Sequence, residues 1–318
     1  MVKIVLANPA PPERLAAFQK AYPDVEFVNA PSRAEAVKLI EDADAFFGGL
    51  LPEEYEAGEK LRWVQSPSAG VEWMWKIPGL AESNVVVTNA RGAHAATIAE
   101  HAFAMLLAHT RAIKLHYDHM AKHEWVRAGM SRHLSGIKGL TMGIIGFGNI
   151  GRAIGRRAAG FEMNVLAVDA HPGAPGDGVQ EVWPLERLND MCREADVLVI
   201  SAPITPQTRG MVGRDQINLM KRGSYLLAVS RGGIVDEPAL IEALKSGHLA
   251  AAGLDVQATE PLPADDPLWD APNIIITPHD SGASKLTTDL MWSIFFENVG
   301  HFVRGEPLTN TVDKKLGY

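Results

Sequence analysis

Cysteine is all but absent: Cys192 is the single one in 318 residues. No disulfide framework can exist, and a reducing compartment, the cytoplasm, fits. Cys192 falls in a helical pattern with Leu185, Leu188 and Met191, which reads as a core or half-buried thiol rather than a reactive one. Positive charge is in the minority, with 30 Lys and Arg against 38 Asp and Glu and a net charge of −8. That balance leaves no basic footprint for nucleic acid or an anionic membrane, and a small anionic substrate would need local arginines. Long apolar runs are also missing. No stretch approaches the roughly 18 uninterrupted apolar residues of a membrane span, and the apolar run after Met1 is too short for a signal peptide and reads as a first strand. What is plentiful is core material: 47% of the chain is hydrophobic, enough for about two domains.

Glycine is placed where it carries information. Residues Leu140 to Ile145 read as a buried strand, and Ile150, Ala153, Ile154 and Ala158 then recur at helical spacing. Between them stands Gly146-Phe147-Gly148-Asn149-Ile150-Gly151. In that setting Gly146 permits the tight turn, Gly148 lets backbone approach a pyrophosphate, and Gly151 lets helix pack close to strand. The helix N-terminus offers the phosphates free N–H groups and a positive dipole end. Asp169 closes the next strand, Met163 to Val168, 18 residues beyond Gly151. A carboxylate there can accept both ribose hydroxyls of an adenosine and repels a 2′-phosphate. Glycines also simply make turns, but strand, helix and acid together point to a dinucleotide, with NAD expected ahead of NADP.

From residue 1 to about 91, Val2–Leu6, Val25–Val28, Ala43–Phe47, Trp63–Gln65 and Val85–Thr88 read as strands. Pro12–Ala21 and Ser32–Ile40 read as helices, the second opened by a Ser32/Glu35 capping box. The alternation predicts a parallel sheet. The loop Ser66-Pro-Ser68-Ala69-Gly70-Val71 is either an anion-binding nest or a plain turn between strand and helix. Trp73 and Trp75 beside it, and Trp292 far along the chain, are candidates to wall a substrate pocket, although aromatic residues near a helix start also serve packing or an oligomer contact. Arg91 to Lys122 reads as one long helix with a broad apolar face, linking two domains and offering a dimer face. His94, His101, His109, His116, His119 and His123 lie in or beside it without a metal-ligand spacing, so no metal is expected.

Residues 140 to 283 repeat strand and helix: Leu140–Ile145, Asn164–Val168, Val197–Ser201, Tyr225–Val229, Ala251–Leu254 and Ile274–Thr277 are six expected strands. In a doubly wound sheet function sits at the carboxyl ends of the strands. Those ends carry the glycine turn, Asp169, Ala202 and Pro203, Ser230 and Arg231, Asp255 to Glu260, and His279. Hydride exchange at a C–OH carbon also requires proton transfer at the oxygen and a cation beside the carboxylate. A histidine, with an unperturbed pKa of about 6.5, suits the first task, and Glu260 could hold the His279 ring in one tautomer. Arg231 offers a planar fork to a carboxylate. Taken singly, Arg231 and Glu260 also read as surface ion-pair members and His279 as a turn histidine; their joint appearance at strand ends favours chemistry.

Four runs, Gly146 to Gly151 with Asp169, Val229-Ser-Arg231-Gly-Gly-Ile-Val-Asp-Glu, Gly253-Leu-Asp255-Val with Glu260-Pro, and Thr277-Pro-His279, resemble in content and order the signatures of the D-isomer-specific 2-hydroxyacid dehydrogenases. Thr97-Ile-Ala-Glu-His101 and Asn310-Thr-Val-Asp extend the resemblance over the whole chain. It implies two doubly wound α/β domains: a Rossmann NAD domain over 92–284, and a smaller, flavodoxin-like substrate-binding domain from 1–91 and 285–318 that closes over the substrate. It also implies Arg231 as carboxylate ligand, Glu260 as partner of the acid/base His279, and Asp255 near the nicotinamide carboxamide. Ser68, Ala69 and Gly70 would bind substrate. The glycine turn, Asp169, Ala202, Pro203, Thr208, Ser230, Asp255 and His279 would bind cofactor. The usual assembly is a homodimer, and the substrate a small 2-oxo or 2-hydroxy acid.

Two departures bear on specificity. Asp280 follows the histidine where the family often has an apolar residue, and His171 stands where many relatives carry arginine. Without the C-terminal extension of phosphoglycerate dehydrogenases, the chain is expected to be a glyoxylate or hydroxypyruvate reductase. The alternatives are an NADP-dependent reductase of the same family and a non-enzymatic dinucleotide sensor, since the corepressors called C-terminal binding proteins resemble this family too.

Overall fold

The computed structural model describes residues 1–317. The chain divides into two units, Met1–His94 with Ser284–Tyr318, and Ala95–Ala283. In the first, β1 (Val2–Leu6), α1 (Pro12–Ala21), β2 (Val25–Asn29), α2 (Arg33–Ile40), β3 (Ala45–Phe47), α3 (Pro52–Ala57), β4 (Trp63–Gln65) and β5 (Val86–Thr88) alternate. The strands form one parallel sheet in the order β2-β1-β3-β4-β5, the flavodoxin-like arrangement. Its central strands read as unbroken apolar runs because both faces are covered; Phe46 and Phe47, on opposite faces of β3, are both fully buried. The α2 cap is only half the expected box. Ser32 Oγ accepts the Glu35 N–H, while the Glu35 carboxylate takes Lys38 instead of returning to Ser32. The short α3, absent from the sequence expectation, starts with proline and is tied by Glu54, which accepts the Leu51 N–H and pairs with Arg33.

The second unit opens with a correction. In place of one helix over Arg91 to Lys122 there are two, α4 (Ala95–Thr110) and α5 (Ile113–Ala121). The Thr110 carbonyl accepts from Ser135 N–H at 2.8 Å, a bond from outside the helix, and Ala112 turns left-handed at φ 50°. Ile98, Ala102 and Leu106 of α4 are buried, whereas α5 has no buried residue, so apolar spacing continued past the point where burial stopped. There follow β6 (Thr141–Ile145), α6 (Asn149–Gly160), β7 (Asn164–Asp169), β8 (Val182–Pro184), α7 (Leu188–Glu194), β9 (Val197–Ile200), α8 (Arg214–Leu219), β10 (Ser224–Ala228), α9 (Glu237–Lys245), β11 (Leu249–Leu254) and β12 (Ile274–Ile276).

These strands form a second parallel sheet, ordered β12-β11-β10-β9-β6-β7-β8, the Rossmann order with one strand more than the six expected. The extra strand is β8, three residues on the edge beside β7; its Pro184 is tolerated only at such an edge. Cys192 lies fully buried in α7, where desolvation pushes its thiol up to about 11, the behaviour of an inert core residue.

The chain then returns to the first unit as α10 (Lys285–Arg304), capped by Ser284 Oγ on the Thr287 N–H. Trp292, expected as a pocket wall, is core: it stacks on Phe47 at 4.6 Å and lies 5.7 Å from Phe18. Phe295, fully buried, meets Phe47 at 4.5 Å and Trp63 at 5.7 Å. Burying such a side chain contributes about 1.5–3 kcal/mol, so this aromatic cluster accounts for the return of the C-terminal segment. The tail finishes the job on the edge of β5, where Val312 N–H bonds the Val87 carbonyl and Asn310 reaches the Arg91 carbonyl.

Candidate active site

The sheet order reverses between β6 and β9, the switch point at which a doubly wound sheet opens a crevice. The glycine turn lies there, and steric constraints explain two of its three glycines. Gly146 has φ +88°, and a Cβ on it would stand 2.6 Å from the backbone of Ala202, just beyond β9. At Gly151 a Cβ would come within 2.2 Å of the Gly146 carbonyl oxygen, so α6 can start this close to β6 only with glycine. A Cβ at Gly148 would meet nothing within 4 Å; its glycine leaves open space beside the start of α6. This cradle, with the first backbone N–H groups of α6, fits a pyrophosphate.

Asp169 ends β7 and ties the turn in place. Its Oδ2 accepts the Phe147 N–H at 2.7 Å and its Oδ1 the His171 N–H at 2.9 Å. A carboxylate has about four acceptor positions, which leaves capacity for ribose hydroxyls. Across the switch point, Thr208 Oγ1 donates to the Pro203 carbonyl at 2.7 Å, fixing the loop after β9. Ser230 follows β10 with its Oγ buried and unpartnered.

The acid/base candidates come from the loops after β10, β11 and β12. Glu260 Oε2 lies 2.7 Å from His279 Nδ1, and its Oε1 accepts the Gln257 N–H at 2.9 Å. Side-chain exposures of 40% for His279 and 34% for Glu260 make the pair too wet to stabilise much, since such pairs contribute about 0–1 kcal/mol. What it does is set the ring: Nδ1 faces the carboxylate and Nε2 is left for another partner. Arg231 Nη1 donates to the Ser230 carbonyl at 2.7 Å. Its loop is pressed against the one after β11 so closely that a Cβ at Gly232 would fall 1.7 Å from the Gln257 oxygen. Asp255 is fully buried and engaged by its own loops. It accepts from Thr277 Oγ1 at 2.6 Å, Asp280 N–H at 3.1 Å and Ser281 N–H at 3.1 Å.

In the first unit the Ser66–Gly70 loop follows β4. Asn89 holds the Ala69 carbonyl at 2.8 Å, Ser68 Oγ donates to the Gly70 carbonyl at 2.7 Å, and Ala90 N–H bonds the Ser68 carbonyl. Its carbonyls are thus fixed by the protein itself. Trp73 packs over Gly49, and Trp75 is half exposed with Gly317 against its ring.

Sequence reasoning gave no individual role to Gln257, Thr277, Glu237 or His101. Glu237 Oε1 accepts the Ala258 N–H at 2.7 Å, and burial, with Asp266 and Glu260 nearby, raises its pKa. His101, one of the helix histidines without a metal-ligand spacing, has its Nε2 2.9 Å from Thr277 Oγ1. Two other histidines of this region have partners of their own: His109 bonds the Ala252 carbonyl of β11 and His119 pairs with Glu124. Among the described residues, potential metal-ligand atoms of His101, Asp255 and Asp280 lie within 4.8 Å of one another. The donors already on Asp255 explain that grouping without an ion.

Fold and site together define a nicotinamide-dinucleotide oxidoreductase framework, and the comparisons narrow it. Residues 103–281 match the model of the D-isomer specific 2-hydroxyacid dehydrogenase, NAD binding domain. The chain is 35% identical to a glyoxylate reductase of Korarchaeum cryptofilum over 90% of this chain and 87% of that one. It is 32% identical to the D-3-phosphoglycerate dehydrogenase of Methanocaldococcus jannaschii over 98% of this chain, spanning 60% of that relative's length. A D-isomer specific 2-hydroxyacid dehydrogenase from Xanthobacter autotrophicus, solved with NADPH and MES, superposes with a TM-score of 0.83 at 26% identity, covering 100% of this chain and 99% of that one. The chain belongs to the D-isomer specific 2-hydroxyacid dehydrogenase family. No helix of the described residues is long and apolar enough to cross a membrane.

Proposed function

We propose that the protein reduces a small 2-oxo acid to the D-2-hydroxy acid, or runs the reverse, with NAD(H) as cofactor. The observation that carries this reading is the 2.7 Å contact between His279 Nδ1 and Glu260 Oε2 in the loops at the carboxyl end of the cofactor-binding sheet. Gly146 to Gly151 would hold the pyrophosphate and Asp169 the adenosine ribose. Ala202, Pro203, Thr208 and Ser230 complete the cofactor's bed. The bound nicotinamide supplies the hydride. His279, protonated on both nitrogens, would donate its Nε2 proton to the carbonyl oxygen as it becomes a hydroxyl, and Glu260 would balance the imidazolium. Arg231 binds the carboxylate and draws electron density from the adjoining carbonyl. Ser68 to Gly70 form a second carboxylate-binding loop, in the substrate-binding unit.

Glyoxylate or hydroxypyruvate is the proposed substrate class, supported by the likeness to a glyoxylate reductase over most of both chains. NAD is favoured by the Asp169 carboxylate; the NADPH complex of the Xanthobacter relative supports the NADP reading. A homodimer is supported by α5 and the segment after it, which expose Ile113, Tyr117, Met120 and Trp125. The deciding experiment is steady-state turnover on a panel of 2-oxo acids with NADH and with NADPH. Tight NADH binding with no turnover on any of them would overturn the enzyme reading in favour of a dinucleotide sensor.

A further inference from the structure

His101 stands on α4, a helix that carries none of the groups assigned above, yet its ring is wired to the loop that bears His279. Nε2 of His101 lies 2.9 Å from Thr277 Oγ1, and Thr277 Oγ1 lies 2.6 Å from Asp255 Oδ1. Proton counting fixes the direction of both bonds. An ionised carboxylate only accepts and a hydroxyl has one proton, so Thr277 donates to Asp255 and His101 donates from Nε2–H to Thr277. Asp255, completely buried, then accepts the Asp280 and Ser281 N–H groups. The chain of bonds thus grips the loop on both sides of His279, by the hydroxyl of residue 277 and by the backbone of 280 and 281.

The residue between those grips needs holding. His279 has φ +54°, in the left-handed region, a strained conformation that a non-glycine residue keeps only when its surroundings impose it. That conformation is the one in which Nδ1 reaches Glu260.

We propose that His101 is a positioning residue for the acid/base. Its Nε2–H turns the Thr277 hydroxyl onto Asp255, Asp255 in turn pins Asp280 and Ser281, and His279 is kept left-handed with Nδ1–H on Glu260 and Nε2 available for proton transfer. The inference rests on His279 being the acid/base, and its test separates the two.

The experiment uses the full-length protein with His101→Leu, which removes the donor, His101→Gln, which keeps an N–H at similar reach, and Thr277→Val, which removes the relay hydroxyl at nearly constant shape. Two quantities are read: kcat with NADH and a 2-oxo acid, and the ring ¹⁵N shifts of His279, assigned by comparison with His279→Ala in ¹⁵N-histidine-labelled protein. His101→Leu and Thr277→Val are expected to lower kcat about 10- to 100-fold, as small misplacements of a reacting group do, with KM changed less than about threefold. Their neutral His279 should be a mixture of tautomers where wild type shows mainly Nδ1–H. His101→Gln should recover most of both. Loss of thermal stability in His101→Leu with wild-type kcat and His279 shifts would overturn the proposal, leaving His101 as packing alone, and so would a glutamine variant as impaired as leucine. If wild type reduces no 2-oxo acid, the functional reading fails and the nitrogen shifts alone decide: disturbed shifts uphold the positioning role, unchanged shifts overturn it. Should His101→Leu not fold, Thr277→Val carries the same two readouts.

Discussion

His279 reaches Glu260 with Nδ1 at 2.7 Å while its own backbone is left-handed at φ +54°. The ring is thereby oriented by a carboxylate from one loop and a strained turn in another, with Nε2 turned away from that carboxylate for the proposed proton transfer. Replacing His279 by Ala should lower kcat about 10²- to 10⁴-fold, the usual worth of a positioned acid/base, while NADH affinity measured by fluorescence titration stays near wild type. Near-normal turnover in the purified variant would sink the assignment.

Gly148 and Gly151 make a controlled pair. A Cβ at Gly151 collides with the Gly146 carbonyl, whereas at Gly148 it enters open space. Gly151→Ala should therefore destabilise the fold by about 1–3 kcal/mol, the ordinary cost of overpacking, and weaken NADH binding. Gly148→Ala should keep its melting temperature and lose NADH affinity alone. Equal thermal shifts in the two variants would contradict this division of roles.

Asp169 ties down the Phe147 N–H and in the proposed function would also meet the ribose. Substituting Ser should reduce the ratio of NADH to NADPH efficiency by about 10- to 100-fold, since a bidentate charged acceptor is lost and a repulsion of the 2′-phosphate removed. Measured kcat/KM with each cofactor gives the ratio. A wild-type preference for NADPH would overturn the choice of NAD outright.

His109 gives a pH prediction. Burial lowers its pKa, outweighing its bond to the Ala252 carbonyl. The folded state therefore takes up its proton less readily than the unfolded chain, whose histidine titrates near about 6.5. Stability from the neutral ring is complete above that value and declines as pH falls through the unfolded pKa toward the lower folded one. In chemical denaturation from pH 7.5 to 5, wild type should lose more stability than His109→Gln. Parallel curves would show the ring to be indifferent.

Tyr117 and Met120, both more than 60% exposed on α5, should be covered in the proposed dimer. Changing both to Glu should convert the dimer to monomer in light scattering. A wild-type protein that is already monomeric would remove this proposal.

Much of this was legible along the chain because it depends on local chemistry. The glycine turn showed itself because strand, turn and helix are consecutive, and Gly151 and Gly146 answer steric demands made within five residues and just beyond the neighbouring strand. The alternation of strand and helix specified two parallel sheets for the same reason: apolar runs and helical spacing are local signals. Where burial and spacing parted, the reading slipped. The helix over Arg91 to Lys122 is two because Ser135, well downstream, takes the Thr110 carbonyl. Strand β8 escaped because three residues ending in proline carry no periodicity, and its existence depends on the open edge of β7.

The sequence by itself determined the inventory: a dinucleotide turn, an acid to follow it, and Arg231, Glu260 and His279 at successive strand ends. Tertiary structure decided who touches whom. It put Trp292 into an aromatic core, buried Asp255 beneath its own loop, and connected His101 on α4 to Thr277, 176 residues away in the chain. Hydrogen bonds across such distances leave no spacing in the sequence. They exist only once parallel strands have brought their carboxyl ends to one edge of the sheet.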